Sequence, residues 1–280
     1  MKIYEQIKQG AEQLNAAGIE SSRLDARLLM QHVLQCSREA LLLREEQTLL
    51  SEQQEAYFQL LEKRIAYQPI SQITGKREFW GLEFYVTEDT LDPRPNSETL
   101  IEAVLRLRPE KSTHHNLLDL GTGTGCLLLS LLREYSQAGG VGVDKSKKAL
   151  AVAKQNAYHL GLDKRVQWLN SNWTDGISQM FDIVITNPPY IPTETIKTLS
   201  ADVRDHEPRL AIDGGKDGLD AYRLLAKQVP GVLKPGGLLA MECGVGQAED
   251  IAAMFEIAGM QVNAIEQDLA GIDRVVVLTR

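Results

Sequence analysis

Two stretches of the chain carry residue types whose spacing could do chemistry. The first, ITNPPYIP (185–192), ends an apolar run with a primary amide, two residues that have no N–H, and an aromatic ring. Pro188 keeps Asn187 out of helical geometry, and neither Pro188 nor Pro189 can donate to a neighbouring carbonyl. The product is a stiff loop with two free acceptors, the Asn187 side-chain oxygen and the Pro188 backbone oxygen. Together they can take both hydrogens of a substrate NH2 group, with Pro189 beside them and Tyr190 stacked on the flat face of that group. Such a clamp aims a planar nitrogen at an electrophile, and alignment of that kind is worth several kcal/mol. Read alone, Asn-Pro-Pro is also an ordinary proline turn after a strand.

The second stretch is LDLGTGTGCL (118–127), where Gly121, Thr122, Gly123, Thr124 and Gly125 form a glycine loop between a strand and a helix. Its G-x-G-x-G spacing is one residue shorter than the dinucleotide fingerprint, and no Lys-Ser/Thr follows to make a phosphate loop. The loop is therefore shaped for a nucleoside without a pyrophosphate. Asp144 ends the next strand, 19 residues after Gly125. There a carboxylate can accept both ribose hydroxyls, or more plainly serve the helix that Ser146 opens. Asn172 and Trp173 follow the third strand and are candidates to cover or bond an adenine, with a core position as the alternative for Trp173; Asn187, at the end of the fourth strand, borders the same cofactor crevice and is a further candidate to touch the cofactor.

These residues need a scaffold that brings several strand ends to one edge. From about residue 116, apolar strands (NLLDL, VGVD, VQWLN, FDIVITN, GLLAMEC) alternate with helical segments. This pattern specifies an α/β fold with a mostly parallel sheet covered on both faces, and ligands at the carboxyl ends of its strands. The last two strands, near 262–266 and 274–278, have no helix between them and are expected to pair antiparallel at one edge. Before them, residues 1–73 read as helices only, with Ser22 as a candidate cap and Ser51 with Gln54 as a candidate capping box. Residues 74–92 read as a hairpin about Gly81 that connects this helical domain to a domain spanning 93–280. The segment HEPRLAIDGGKDGLDAY (206–222) has no period that places it; its charges fit a solvated loop or the mouth of the site equally.

Composition narrows the function classes. Of the 280 residues, 43% are hydrophobic and 24% charged, as in ordinary globular chains. There is no signal-peptide pattern and no apolar run of membrane-spanning length, so a cytoplasmic protein is expected. Cys36, Cys126 and Cys243 are far apart, which argues against a disulfide framework or a zinc site, and His114 and His115 read as solvated loop residues rather than metal ligands. A net charge of -8, with eight Lys/Arg against ten Asp/Glu in residues 1–70, offers no broad surface for a nucleic-acid backbone.

The motifs DLGTGTG, VGVD, SNW and NPPY resemble those of S-adenosylmethionine-dependent methyltransferases acting on planar nitrogens. More closely, REFWGLEF, PRPNSETL, NPPYIP, EPRLAIDGGKDGLDAYR and DLAGIDRVVV are similar to the bacterial glutamine-N5 methyltransferases of peptide chain release factors. The resemblance covers the chain from about residue 64 onward. It departs from the family pattern at Asn96 and Ser97, where Asp-Thr is usual, at His206, where an aromatic is usual, and at Cys243, where an aliphatic is usual. It implies a seven-stranded Rossmann-like methyltransferase sheet with an antiparallel edge strand, and S-adenosylmethionine as cofactor, without a metal. The implied substrate is the Gly-Gly-Gln glutamine of class 1 release factors, bound by a monomer with neither nucleic acid nor membrane as partner. The competing expectation is an N6-adenine or N2-guanine nucleic-acid methyltransferase, which presents the same NH2 to the same clamp; a nucleoside-sensing module leaves the clamp unexplained. No general base is evident near Asn187, and none is required, because an N-methylated amide that still carries both its protons is acidic enough to lose one to water.

Overall fold

The computed structural model describes all 280 residues. The helices of the first stretch are α1 (Ile3–Ala16), α2 (Ser22–Leu34), α3 (Arg38–Leu43), α4 (Ser51–Ile65) and α5 (Ile70–Thr74), followed by the hairpin β1 (Lys76–Phe79) and β2 (Leu82–Tyr85). Then come α6 (Glu98–Leu107), β3 (Asn116–Leu120), α7 (Cys126–Glu134), β4 (Gly139–Asp144), α8 (Lys147–His159), β5 (Val166–Asn170) and β6 (Phe181–Thr186). The chain continues through the short helices α9 (Ala201–His206) and α10 (Arg209–Ile212), then α11 (Asp220–Gln228), β7 (Leu233–Glu242), α12 (Ala248–Ile257), β8 (Gln261–Gln267) and β9 (Asp273–Thr279).

Two compact units result, Met1–Lys76 with Ser200–His206, and Arg77–Leu199 with Glu207–Arg280. In the first, α1, α2 and α4 bury Leu14, Leu29, Met30, Tyr57 and Leu61 between them. The Tyr57 hydroxyl, buried with its ring, donates to the Ala26 carbonyl at 3.1 Å, so the large aromatic leaves no polar atom unpaired. The caps sit one residue from their sequence positions. Leu50, not Ser51, precedes α4, and its N–H donates to Gln53 Oε1 at 3.1 Å; Ser21, not Ser22, precedes α2 and donates to Asp25. The segment 200–206 joins this unit through Gln72, which donates to the His206 carbonyl at 3.0 Å. Sequence distance hides such an attachment, since 134 residues separate the partners.

The second unit holds a seven-stranded sheet in the order β5-β4-β3-β6-β7-β9-β8, parallel except where β9 runs against both neighbours. The expected antiparallel pairing of the last two strands is present, and β9 lies one place in from the edge, between β7 and β8. Alternate residues face opposite sides. Leu117, Ile183, Ile185, Ala240 and Val277 pack toward α6 and α7, while Leu118, Val184, Leu239, Met241 and Val276 pack toward α11 and α12.

From Arg77 onward the hairpin belongs to this unit, and Phe79 and Phe84 are buried in the first of those cores. Its two-residue turn, Trp80-Gly81, has positive φ at both positions, the twist that matches paired strands. Buried Asn156 of α8 then bonds the Tyr85 N–H and carbonyl and also the Thr124 carbonyl at 2.9 Å, tying β2 to the glycine loop. His115 is a loop residue but not a solvated one: it is buried, with its ring edge-to-face on Tyr135 at 5.1 Å, and burial lowers its pKa. No helix is long and apolar enough to cross a membrane.

Candidate active site

A cavity of about 440 Å3 opens at the carboxyl ends of β3, β4 and β6. The parallel order puts the β4-β3-β6 strand ends side by side, so residues far apart in sequence converge there.

One end of the cavity is built from the glycine loop. The Gly121 and Thr122 N–H groups both donate to the Val143 carbonyl at 2.9 Å, which folds the loop over the end of β4. Gly125 caps α7 at φ +80°, and a Cβ there would lie 3.2 Å from both Leu129 and Trp168, so a side chain would strain the backbone and press on both neighbours. Asp144 is held from two sides, accepting from the Gly123 N–H at 2.9 Å and the Ser146 N–H at 2.8 Å. The cap of α8 is Ser146 itself, whose Oγ accepts from the Ala149 N–H. Asp144 is thus not the helix cap; each of its oxygens keeps a lone pair, and the residue lines the cavity. Burial raises its pKa, against the pull of those backbone donors.

Beneath the loop lies an acid that the sequence reading passed over. Asp119 is buried, accepts from the Thr122 hydroxyl at 2.5 Å through Oδ2, and has no partner for Oδ1. Burial pushes its carboxyl up to about 7, opposed by the Thr122 hydroxyl and reinforced by the nearby charge of Asp144. Trp173, half-buried at φ +53°, packs on the second core and lies along the loop, close enough that a Cβ on Gly121 would be 3.5 Å from its ring. The residue thus packs on the core and also lines the cavity. Asn172 is exposed and also lines the cavity.

The other end is built around Asn187. Its side-chain Nδ2 donates to Glu242 Oε2 at 2.8 Å and to Ser97 Oγ at 3.2 Å. Ser97 also donates to Glu242 Oε2, and the Tyr190 hydroxyl donates to Glu242 Oε1 at 3.3 Å. Glu242, at the end of β7, is buried, and desolvation raises its pKa, opposed first by the Ser97 hydroxyl and then by the Arg274 charge. The Pro188 carbonyl accepts none of the loop's backbone hydrogen bonds. Of the clamp residues, Asn187 and Pro189 line the cavity with Gly121, Thr122, Gly123 and Thr124, while Gly125, Pro188 and Tyr190 adjoin residues that do. The Tyr190 ring packs partly into the core, and its hydroxyl is pushed above its ordinary pKa by burial.

The unplaced segment 206–222 proves to be structural support for this end. Ile191 donates to the Ile212 carbonyl and accepts from the Gly214 N–H, and Thr193 donates to Gly215, so the segment runs beside the proline loop like a short strand. At Gly218 the approach is closest: φ is +82°, and a Cβ would fall 2.3 Å from the Tyr190 carbonyl oxygen. Gln247 finishes the join by donating to that same carbonyl at 3.0 Å. Pro208, Leu210 and Ala211 from this segment line the cavity. Glu207 is an internal anchor, accepting from Arg94 at 2.6 Å.

Sequence reasoning missed Asp119, Ser97 and Glu242. A signal existed for the last of these: a lone acid in the apolar run GLLAMEC, at the end of a strand covered on both faces, is expensive to bury without partners.

Comparison with known proteins adds the lineage of this arrangement. The family model described as PrmC N-terminal domain matches residues 5–75, and that described as Methyltransferase small domain matches residues 88–215. A release factor glutamine methyltransferase of Rhodospirillum rubrum is 42% identical over 274 residues, 98% of this chain and 84% of that protein. Its counterpart in Caulobacter vibrioides is 43% identical over 266 residues, 95% of this chain and 92% of that protein. Among solved structures, a methyltransferase from Pyrococcus furiosus is alike in fold, with a TM-score of 0.54 at 17% identity, covering 78% of this chain and 96% of that one.

Proposed function

Because the chain belongs to the family of release factor glutamine methyltransferases, we propose that it methylates the side-chain amide nitrogen (N5) of the Gly-Gly-Gln glutamine in class 1 peptide chain release factors. The observation that carries this reading is the Asn187 amide, whose NH2 is consumed by Glu242 and whose oxygen is left for a substrate N–H at the wall shared with the glycine loop.

S-adenosylmethionine would supply an electrophilic methyl group on a sulfonium. The residues present suit it: Asp144 keeps lone pairs for ribose hydroxyls, Trp173 offers a flat apolar wall, and the buried Asp119 retains an unpaired oxygen beneath the loop. On the substrate side, Asn187 Oδ1 accepts one N–H of the glutamine amide and the Pro188 carbonyl accepts the other, which holds the nitrogen in line for transfer. The new N–C bond would form as the methyl's C–S bond breaks, with that electron pair staying on a neutral thioether sulfur, and the positively charged amide would return to neutrality by losing one proton to water. Alignment and exclusion of water supply most of the rate in this scheme. Pro189 and Tyr190 stiffen the clamp, Tyr190 from behind.

In this reading the helical part, residues 1–73, recognises the release factor, no metal takes part, and the protein works as a cytoplasmic monomer. The balance of eight Lys/Arg against ten Asp/Glu in residues 1–70 supports a protein substrate over a phosphate backbone. The test is transfer of a labelled methyl group from S-adenosylmethionine to purified release factor, with DNA and RNA as competing substrates. Label on the glutamine of the release factor is expected; label on nucleic acid alone would overturn the reading.

A further inference from the structure

The two ends of an Asn amide are nearly equal in size, so shape alone does not decide which one faces a cavity. Here chemistry decides. Glu242 Oε2 lies 2.8 Å from Asn187 Nδ2, and the groups that converge on this carboxylate are donors: the Asn187 NH2, the Ser97 hydroxyl and the Tyr190 hydroxyl. A carboxylate only accepts, so rotating the amide would set Oδ1 against a carboxylate oxygen and forfeit a charge-assisted hydrogen bond. The Ser97 hydroxyl ties the two partners together, accepting from Asn187 Nδ2 and donating to Glu242 Oε2. Burying a carboxylate is unfavourable unless donors surround it, and an apolar residue would continue the strand equally well. The acid at the end of β7 therefore has a use that packing does not explain.

We propose that Glu242, with Ser97, is a positioning residue that locks the Asn187 amide with its oxygen toward the cavity, so that the site accepts an N–H donor and rejects an acceptor in its place. The inference rests on the reading of Asn187 as acceptor for the substrate amide, and extends it to selectivity. A glutamate side chain differs from glutamine by presenting oxygen where the amide presents NH2. Against a fixed Oδ1 it meets two opposed acceptors, a mismatch of the kind that discriminates far better than shape.

The test exchanges the roles of the two side chains. In Asn187→Asp, two carboxylates face each other where one hydrogen bond stood, and one must take up a proton. In the double variant Asn187→Asp with Glu242→Gln, the amide NH2 now on β7 donates to the carboxylate now on the proline loop, which again turns an acceptor oxygen toward the cavity. Methyl transfer to purified release factor, cofactor affinity and Tm are measured on wild type, both single variants and the double variant. Asn187→Asp is expected to lower kcat by about a hundredfold or more, and Glu242→Gln alone by about tenfold, with KM and cofactor affinity changed less than about twofold. The double variant is expected to recover at least about tenfold over Asn187→Asp. A double variant no faster than Asn187→Asp, or Glu242→Gln at the wild-type kcat, would overturn the proposal. Should Asn187→Asp alone fail to fold, recovery of folding on adding Glu242→Gln reads the same coupling as Tm, and its absence overturns it. Wild type inactive on release factor, with the coupling still visible in Tm, would refute the functional reading and leave this one standing.

Discussion

The two ends of the cavity are made in different ways. At the glycine loop, the parts come from neighbouring segments: the Gly123 N–H reaches Asp144 across 21 residues, and Thr122 reaches Asp119 across three. At the amide end, Ser97 meets Glu242 across 145 residues and Asn187 across 90. The first is mostly backbone, shaped by glycines that leave N–H groups pointing at one carbonyl and one carboxylate. The second is side chains held by side chains, assembled only when separate segments are all in place. A local site is set by its own sequence, whereas a distributed one depends on the whole unit.

This contrast makes the two ends separable by mutation. The largest effect is expected from Gly218→Ala, which forces a Cβ onto the Tyr190 carbonyl at 2.3 Å and a side chain into positive φ. Overpacking and a left-handed backbone together are worth about 3–5 kcal/mol, seen as a drop in Tm and a loss of turnover at the amide end. An unshifted Tm would mean that the two loops are not in fact joined there. Next, Asn187→Ala is expected to lower kcat about a hundredfold, or about 2.7 kcal/mol, while the cofactor dissociation constant stays put. Single-turnover rates at saturating cofactor and substrate decide this, and rates equal to wild type would reduce Asn187 to a turn residue.

Asp144→Ala is the mirror image. It is expected to weaken cofactor binding by about 1.5–3 kcal/mol with Tm and saturated turnover little changed. Calorimetry with S-adenosylmethionine checks it; an unchanged affinity would leave Asp144 only its loop contacts to Gly123 and Ser146.

The smallest effect is a pH dependence at the glycine end. With its carboxyl raised to about 7 in the folded protein, Asp119 contributes stability that is present below its ordinary unfolded value and lost as pH rises through about 7. Asp119→Asn lacks this term, so its Tm should gain on wild type between about pH 5 and pH 8, by no more than a few kcal/mol in stability. Parallel melting curves across that range would show Asp119 to be ionised throughout.

Much of the glycine end was legible in the sequence because each of its requirements leaves a local trace. Positive φ demands glycine, an acid at the next strand end can hold the loop's N–H, and both fell at readable spacings in 118–127 and at Asp144. Asn187 was legible for the same reason, since two prolines mark the stop of a strand. What supports Asn187 was not, because Ser97 reads as a helix start and Glu242 as the last residue of an apolar strand. Only the sheet order, with β6 beside β7, places the acid next to the amide. An acid in place of Asn187 keeps an acceptor of similar shape, but facing a buried carboxylate it becomes a severe change. The segment 206–222 was opaque on different grounds, since its join to the proline loop is mostly backbone-to-backbone and writes little side-chain pattern.

That last join has a consequence for motion. Because Ile191 both donates to and accepts from the 212–214 backbone, and Gly218 leaves no gap under Tyr190, the proline loop and the glycine segment behind it are expected to open together. Amide hydrogens of Ile191, Thr193 and Gly214 should therefore exchange with deuterated solvent at one common rate, set by a single opening event. The substrate would then meet a wall that yields as one piece, so that its entry is timed by one slow fluctuation and not by the independent flicker of two surface loops.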